Sequence, residues 1–258
     1  MSNFVNKKRY GQNFLIDRNI LDKIITSIKA SDTDLILEIG AGSGNLTKEL
    51  KNTGARVLSY EIDQDLSSFL NPLIDNKTDI IFADFLSRDI AKDLQPIPYN
   101  NLYIVANLPY YITTPIIEKV ITSKLNPTKM ILMVQNEVAN RLSATPHSRD
   151  YGFMTVYLNY YFTIRKLFEV RKTAFRPIPK VDSAVLEFTS HNMYQCDEQK
   201  FINLIKTAFK HKRKNLNNNL NNYDKELITS VLTKHNLSLA SRAEDVSIEV
   251  FIEIVNAL

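Results

Sequence analysis

The sequence predicts an α/β protein: a seven-stranded, mostly parallel sheet covered by helices over residues 1–192, then a small all-helical domain over 193–258. Three features predict it. Short apolar runs recur through the first half of the chain, and each ends in a polar residue. Helix-spaced segments separate these runs, the rhythm of strand–helix–strand units. Beyond about residue 195 no strong strand pattern remains, only amphipathic helical stretches.

In order, "DRNILDKIITSIKA" sets Ile20, Ile24 and Ile28 at helical spacing behind Asp17, a residue type that caps helices. "DLILEIG" is a continuous apolar run breaking into glycines, as expected of a strand buried on both faces. "ARVLSYEID", "DIIFADF", "LYIVANLPY" and "KMILMVQNEV" repeat that form, with "NLTKELKNTG" and "TPIIEKVITSK" as helices among them. The strands thus end in Glu38, Glu61, Asp84 and Asn107, polar groups suited to a cleft at the carboxyl edge of a parallel sheet. After residue 150, "YFTIRKLFEVRKTAFRPIPKVDSAVLEFTSH" holds two further strand patterns around a Pro-rich connection, consistent with antiparallel strands closing the sheet. "DEQKFINLIKTAFKHKRKNLNNNL", "YDKELITSVLTKHNL" and "SIEVFIEIVNAL" read as helices, with a domain boundary near 190–196.

The 258 residues carry 44% hydrophobic and 23% charged side chains, enough for a real core. Net charge is +4 and the pI about 8.9, which points to an anionic partner only where the charge is clustered. A single cysteine, Cys196, excludes an intramolecular disulfide framework and a cysteine-cluster metal site. His147, His191, His211 and His235 show no ligand spacing with acids, so no metal is expected. No apolar run has the length of a membrane span and no signal peptide is read, so the expectation is a cytoplasmic protein with no membrane partner.

"EIGAGSG" spends three of the chain's six glycines, Gly40, Gly42 and Gly44, in one loop. Glycine permits positive φ and close approach of backbone to a ligand. The spacing is G-x-G-x-G rather than the G-x-G-x-x-G of dinucleotide sites, and Glu38 precedes it on the strand. A carboxylate there repels a pyrophosphate but suits an ammonium and a sulfonium, which points to S-adenosylmethionine (SAM). Glu61 is placed to bind ribose hydroxyls, and Asp84 to accept from an adenine amino group, with Ile62 and Phe85 beside them in the same cofactor seat. The bland alternatives are another class of nucleotide site or an ordinary strand–helix turn.

"NLPY" ends the strand across the sheet from that loop. The Asn107 side-chain carbonyl and the Leu108 backbone carbonyl can grip the two hydrogens of an adenine N6 and stabilise charge developing on it. Pro109 fixes the turn without adding a donor, and Tyr110 offers a ring for stacking an extruded base. The competing reading is a plain Pro turn. Lys206, Lys210, Lys212, Arg213 and Lys214 form a basic cluster fit for RNA phosphates, the alternative being a solvated helix end. Lys7, Lys8 and Arg9 are expected to steady RNA beside the site, or else simply to be mobile.

The chain resembles the KsgA family, the small-subunit (16S-type) rRNA adenine N6,N6-dimethyltransferases, over nearly its whole length. The resemblance is carried by "KKRYGQNFLID", "EIGAGSGNLT", "NLPYYITTPII", "VQNEVANRL", "YGFMTVYL", "FRPIPKVDSAV", "FKHKRKNLNNNL" and "RAED". It implies a Rossmann-like SAM-dependent methyltransferase fold and dimethylation of two adjacent adenosines in the 3′-terminal hairpin of 16S rRNA within the immature 30S subunit, by an enzyme expected to be a monomer. It also implies that Gln12 and Asn13 cover the methionine end of SAM, that Leu15 lines the same segment, and that Phe175 stacks on the target base opposite Tyr110. From the residues alone, Phe175 could equally be a core aromatic under its Pro-stiffened loop. One departure is "KHKRK", lysine-rich where the family tends to arginine. The rivals are the 23S rRNA enzyme of the macrolide-resistance type, which shares GQNFL-like and N-(L/I)-P-Y elements, and an RNA-binding assembly factor without turnover. "FRPIPKVDS" and "FKHKRKNLNNNL" favour the small-subunit enzyme over the first; intact Glu38, Glu61, Asp84 and Asn107 argue against the second.

Overall fold

The computed structural model describes residues 12–108 and 112–258; the expectations for Lys7, Lys8, Arg9, Pro109 and Tyr110 lie outside the described residues. A short strand β1 (Phe14–Leu15) leads into α1 (Arg18–Ile28). Asp17 caps that helix by accepting from the N–H groups of Asn19 (3.0 Å) and Ile20 (3.3 Å). Its buried stripe is Leu21, Ile24 and Ile28, with Ile20 only partly covered.

The apolar runs then become β2 (Leu35–Ile39), β3 (Arg56–Glu61), β4 (Thr78–Phe82), β5 (Leu102–Asn107) and β6 (Lys129–Gln135). Between them lie α2 (Asn45–Lys51), α3 (Ser67–Leu70), α4 (Ile90–Leu94) and α5 (Thr113–Thr122). α6 (Asn136–Leu142), α7 (Phe153–Asn159), β7 (Phe162–Val170), β8 (Phe175–Arg176) and β9 (Ser183–Ser190) follow, then α8 (Glu198–Ala208), α9 (Leu216–Asn219), α10 (Lys225–Lys234) and α11 (Ile248–Ala257).

The expected seven-stranded sheet is present in the order β4-β3-β2-β5-β6-β9-β7. From β4 to β6 all neighbours are parallel, and β9 runs antiparallel to β6. All five residues of β2 are buried, as a central parallel strand requires. The chain winds from β2 outward through β3 and β4, then returns to place β5 on the other side of β2. That reversal opens a crevice at the carboxyl ends of β2 and β5. At the far side, buried Glu187 on β9 is paired with Lys129 (2.7 Å) and Arg165, so the buried charge is neutralised. The two-residue strands β1 and β8 pair antiparallel, with Leu15 opposite Phe175.

By packing, the chain divides into residues 1–139 with 165–190, and residues 140–164 with 191–258. The expected single cut at 192 is therefore corrected: 140–164 joins the C-terminal helices. Tyr151 and Val156 are the reason, being buried in one cluster with Phe201, Ile228 and Phe251. In the first unit α1 lies over the sheet through Ile24, Ile28, Ile36, Val105 and Ile131.

"FKHKRKNLNNNL" is not one helix as its periodicity suggested. α8 stops at Ala208 and α9 starts afresh at Leu216, capped by Asn215 accepting from the Asn218 N–H (3.1 Å). The buried Asn219 amide gathers the intervening turn, donating toward the carbonyls of Ala208 (2.7 Å), His211 (3.2 Å) and Lys214 (3.4 Å). No helix among the described residues is long and apolar enough to cross a membrane.

Candidate active site

The glycine loop leaves β2 and turns toward β3, where the N–H groups of Gly40 (2.8 Å) and Ala41 (3.1 Å) donate to the Tyr60 carbonyl. Gly42 has φ +56°, and a Cβ there would stand 3.1 Å from the Phe14 ring. Gly44, the N-cap of α2 at φ +78°, has no room either, since a Cβ would meet Leu73 Cδ1 at 2.7 Å. Gly42 therefore admits a close neighbour from above, whereas Gly44 is set by packing beneath the loop.

A cavity of about 230 Å³ opens over this loop. It brings together Gln12, Asn13, Gly40, Gly42, Glu61, Ile62, Asp84, Phe85, Asn107, Leu108 and Phe175 from the sequence reading. Leu15, Glu38 and Gly44 do not line it. Leu15 is buried in the ladder with Phe175, and its carbonyl accepts from Asn45 Nδ2 (2.8 Å). Glu38 is the main correction to the expected cofactor seat. Side chains alternate along a strand, and while Ile39 reaches the cavity, Glu38 points into the protein. There its Oε2 accepts from Thr47 (2.7 Å) and Ser59 (2.6 Å), while Oε1 has no partner. Burial pushes its carboxyl up to about 7.

Glu61, by contrast, faces the loop. Its Oε2 accepts from the Gly42 N–H (2.7 Å) and its Oε1 from the Asp63 N–H (2.8 Å), so one carboxylate fixes both the glycine turn and the end of its own strand. Burial still raises its carboxyl above the ordinary range, the backbone donors of Asp63, Gly42 and Ile62 offsetting only part of that cost. Asp84 is exposed and caps a short turn through the Leu86 N–H (3.0 Å).

The N-terminal segment lies along the cavity and is fastened to it. Gln12 Nε2 donates to buried Asp63 (2.8 Å), and Asn107 Nδ2 donates to the Asn13 carbonyl (3.2 Å). That second bond orients the catalytic candidate: the donor end of the amide is committed, and Oδ1 is the end left to accept. The Leu108 N–H donates to the Met133 carbonyl (3.2 Å), which holds the turn after β5 against β6. Phe175 is almost fully buried and lines the cavity, so it is at once a core aromatic and a wall of the site.

Sequence reasoning missed Asp63, Phe14 and Tyr60. Asp63 had a signal, as the second acid of "EID" directly after a strand end. Tyr60 had none: it lines the cavity, meets Phe85 edge-on with ring centroids 5.3 Å apart, and donates its hydroxyl to Asp93 (2.7 Å).

A family model for ribosomal RNA adenine dimethylase matches residues 3–258. The chain belongs to the ribosomal RNA adenine dimethylase family. It is 44% identical over 254 residues to "Ribosomal RNA small subunit methyltransferase A" of Aster yellows witches'-broom phytoplasma (strain AYWB), covering 95% of this chain and 93% of that protein. It is 37% identical to the protein of the same name from Mycoplasma capricolum subsp. capricolum, with 98% and 97% covered. Among solved structures, a dimethyladenosine transferase from Plasmodium falciparum superposes with TM-score 0.78 at 25% identity, covering 93% of this chain and 95% of that one. The 23S rRNA methyltransferase ErmE superposes with TM-score 0.75 at 23% identity, covering 95% and 99%, a likeness of fold alone.

As a dimethylase of this family, the chain is a SAM-dependent rRNA adenine dimethyltransferase. The cavity fits that cofactor: glycines keep the loop low, Ile62 and Phe85 give apolar walls, and the Glu61 carboxylate stands at the end of the strand after the loop. In the dimethylase's second unit, Lys206, Lys210, Lys212, Arg213 and Lys214 are all exposed. Lys212 Nζ donates to the Arg149 carbonyl (2.6 Å). His147 pairs with Asp245 and His235 with Glu253, and no cluster of metal-ligating side chains occurs among the described residues.

Proposed function

We propose that this enzyme dimethylates the N6 amino groups of two adjacent adenosines in the 3′-terminal hairpin of 16S rRNA, acting as a monomer in the cytoplasm on the immature 30S subunit. The observation that carries the reading is the oriented amide of Asn107, with its donor end held by Asn13 and its acceptor end available in the cavity that also contains Gly42 and Glu61.

SAM supplies a methyl group carried on a sulfonium. Glu61 binds the ribose hydroxyls of the cofactor, Asp84 its adenine amino group, and Ile62 and Phe85 pack the adenine. Gln12 and Asn13 close over the methionine end. Asn107 Oδ1 and the Leu108 carbonyl accept the two N6 hydrogens of the target adenine, turning the nitrogen lone pair toward the methyl carbon. As the N–C bond forms and the S–C bond breaks, those same oxygens stabilise the positive charge arriving on N6, which then loses a proton to water. Phe175 stacks on the extruded base, with Tyr110 as the opposing ring in this reading. No strong base is required, so positioning is the main task of the protein. Lys206, Lys210, Lys212, Arg213 and Lys214 hold RNA phosphates, as Lys7, Lys8 and Arg9 do beside the site.

The test is labelled-methyl transfer to immature 30S particles and to isolated 23S rRNA, followed by mass spectrometry of the 3′-terminal hairpin. Two dimethylated neighbours in the 30S product are expected. Methylation of 23S rRNA alone would overturn the reading.

A further inference from the structure

A second cavity, of about 320 Å³, opens at the carboxyl end of β6 and is lined by Gln135, Asn136, Glu137, Lys172, Lys180 and Asp182. Its position ties it to the active site. Asn107 is the β-partner of Met133, and Gln135 lies two residues further along the same strand, about 7 Å on. Phe175, a wall of the first cavity, falls between Lys172 and Lys180, so one chain segment borders both.

The second cavity is also a built one. The Asn136 N–H donates to the Asp182 carbonyl (3.0 Å), and the Lys172 N–H donates to Asp182 Oδ1 (2.8 Å). Lys166 Nζ donates to Asn136 Oδ1 (2.7 Å) and the Asn136 side chain also bonds the Glu169 carboxylate, so both ends of that amide are held and it is a fixed wall of the cavity. The ammonium groups of Lys172 and Lys180 and the carboxylate of Glu137 are exposed and enter no ion pair among the described residues. Two free cations suit a phosphate. A carboxylate suits a ribose hydroxyl or an exocyclic amino group. A nucleotide presents all of these together; a metal ion would leave the lysines opposed.

The geometry points to this cavity as the seat of the nucleotide next to the one being methylated, with its base edge on Glu137 and its phosphate on Lys172 and Lys180. This rests on the paired-adenosine substrate proposed above. Only one of two adjacent bases can occupy the Asn107 cavity at a time, and a separate seat for its neighbour fixes the strand while that base reacts.

The experiment is a cycle using reconstituted 30S particles in which the neighbour of the target adenosine is either intact or abasic. kcat/KM for the remaining adenosine is measured with the wild type and with Glu137→Gln, an exposed and conservative change. Removing the neighbouring base is expected to cost the wild type about tenfold, and Glu137→Gln to cost about tenfold on the intact substrate with little further loss on the abasic one. SAM affinity by calorimetry is expected to stay unchanged in the variant. Independently, Lys172→Ala with Lys180→Ala is expected to lower the salt slope of 30S binding by about two. Losses that multiply, a variant indistinguishable from wild type on both substrates, or a parallel loss of SAM affinity overturn the assignment. A wild type that methylates intact and abasic particles equally well overturns this seat alone. One that methylates neither overturns the substrate reading as well.

Discussion

The side-chain amide of Asn107 donates to the backbone carbonyl of Asn13 at 3.2 Å, a bond between groups 94 residues apart in sequence. It sets the direction of the Asn107 amide, so the segment carrying Gln12 and Asn13 orients the methyl-acceptor side of the site as well as bordering the cavity.

Replacing Asn107 by Ala is expected to lower methyl transfer by about 10²–10³-fold, the usual loss for one oriented polar group at a reacting centre. SAM affinity measured by calorimetry should change by only a few fold. Turnover like that of the wild type would falsify the clamp.

Phe175 fills core and lines the cavity, and two substitutions separate those roles. Phe175→Ala should cost about 3–5 kcal/mol of stability, because it empties a buried site. Phe175→Leu keeps most of the apolar volume, so its melting temperature should stay near that of the wild type while kcat falls at least about tenfold through lost stacking. If the Leu enzyme turns over normally, the ring is filler.

Glu38 gives a pH signature. Burial holds its folded-state pKa at about 7, above the ordinary carboxylate value, so the native state keeps a proton that the unfolded chain has released. Its contribution is present in full below about pH 4 and is lost as pH rises toward 7. Relative to Glu38→Gln, the wild type should lose up to about 3 kcal/mol of unfolding free energy between pH 5 and pH 8 in denaturant titrations. Parallel curves for the two proteins would remove this account.

Reversing the charges at Lys212, Arg213 and Lys214 should weaken 30S binding and flatten its dependence on salt, since fewer counterions are released. Asn219→Ala, which strips the donor from the carbonyls of Ala208, His211 and Lys214, should weaken binding less and leave the salt slope nearer the wild-type value. Equal affinity at moderate salt for the reversed and native proteins would mean the patch is only solvated.

The central sheet was legible because strands buried on both faces must be apolar throughout, and "LILEI" or "LYIVA" can satisfy little else. The glycine turn and Asn107 were legible because each sits where such a run stops. Glu38 misled because the period-2 alternation of a strand carries its carboxylate away from the ligand side, and both faces of this strand look alike in sequence. The break after Ala208 was hidden because Leu216 and Leu220 keep helical spacing across a turn that Asn219 holds through backbone carbonyls. The bond from Asn107 to Asn13, and the burial of Tyr151 and Val156 among C-terminal helices, depend on long-range topology that no local pattern encodes.

The pairing of Leu15 with Phe175 has a consequence for the timing of biosynthesis. The strand on the side of β6 away from β5 is supplied by residues 183–190, and the Phe175 ring that lines the cavity arrives only with residue 175. A nascent polypeptide with 150 residues outside the exit tunnel can wind its first five parallel strands, yet it lacks the partner for its own leading segment and one wall of the cavity. The cavity is therefore completed only after residue 175 has been made, when a distant stretch of chain closes back on the beginning.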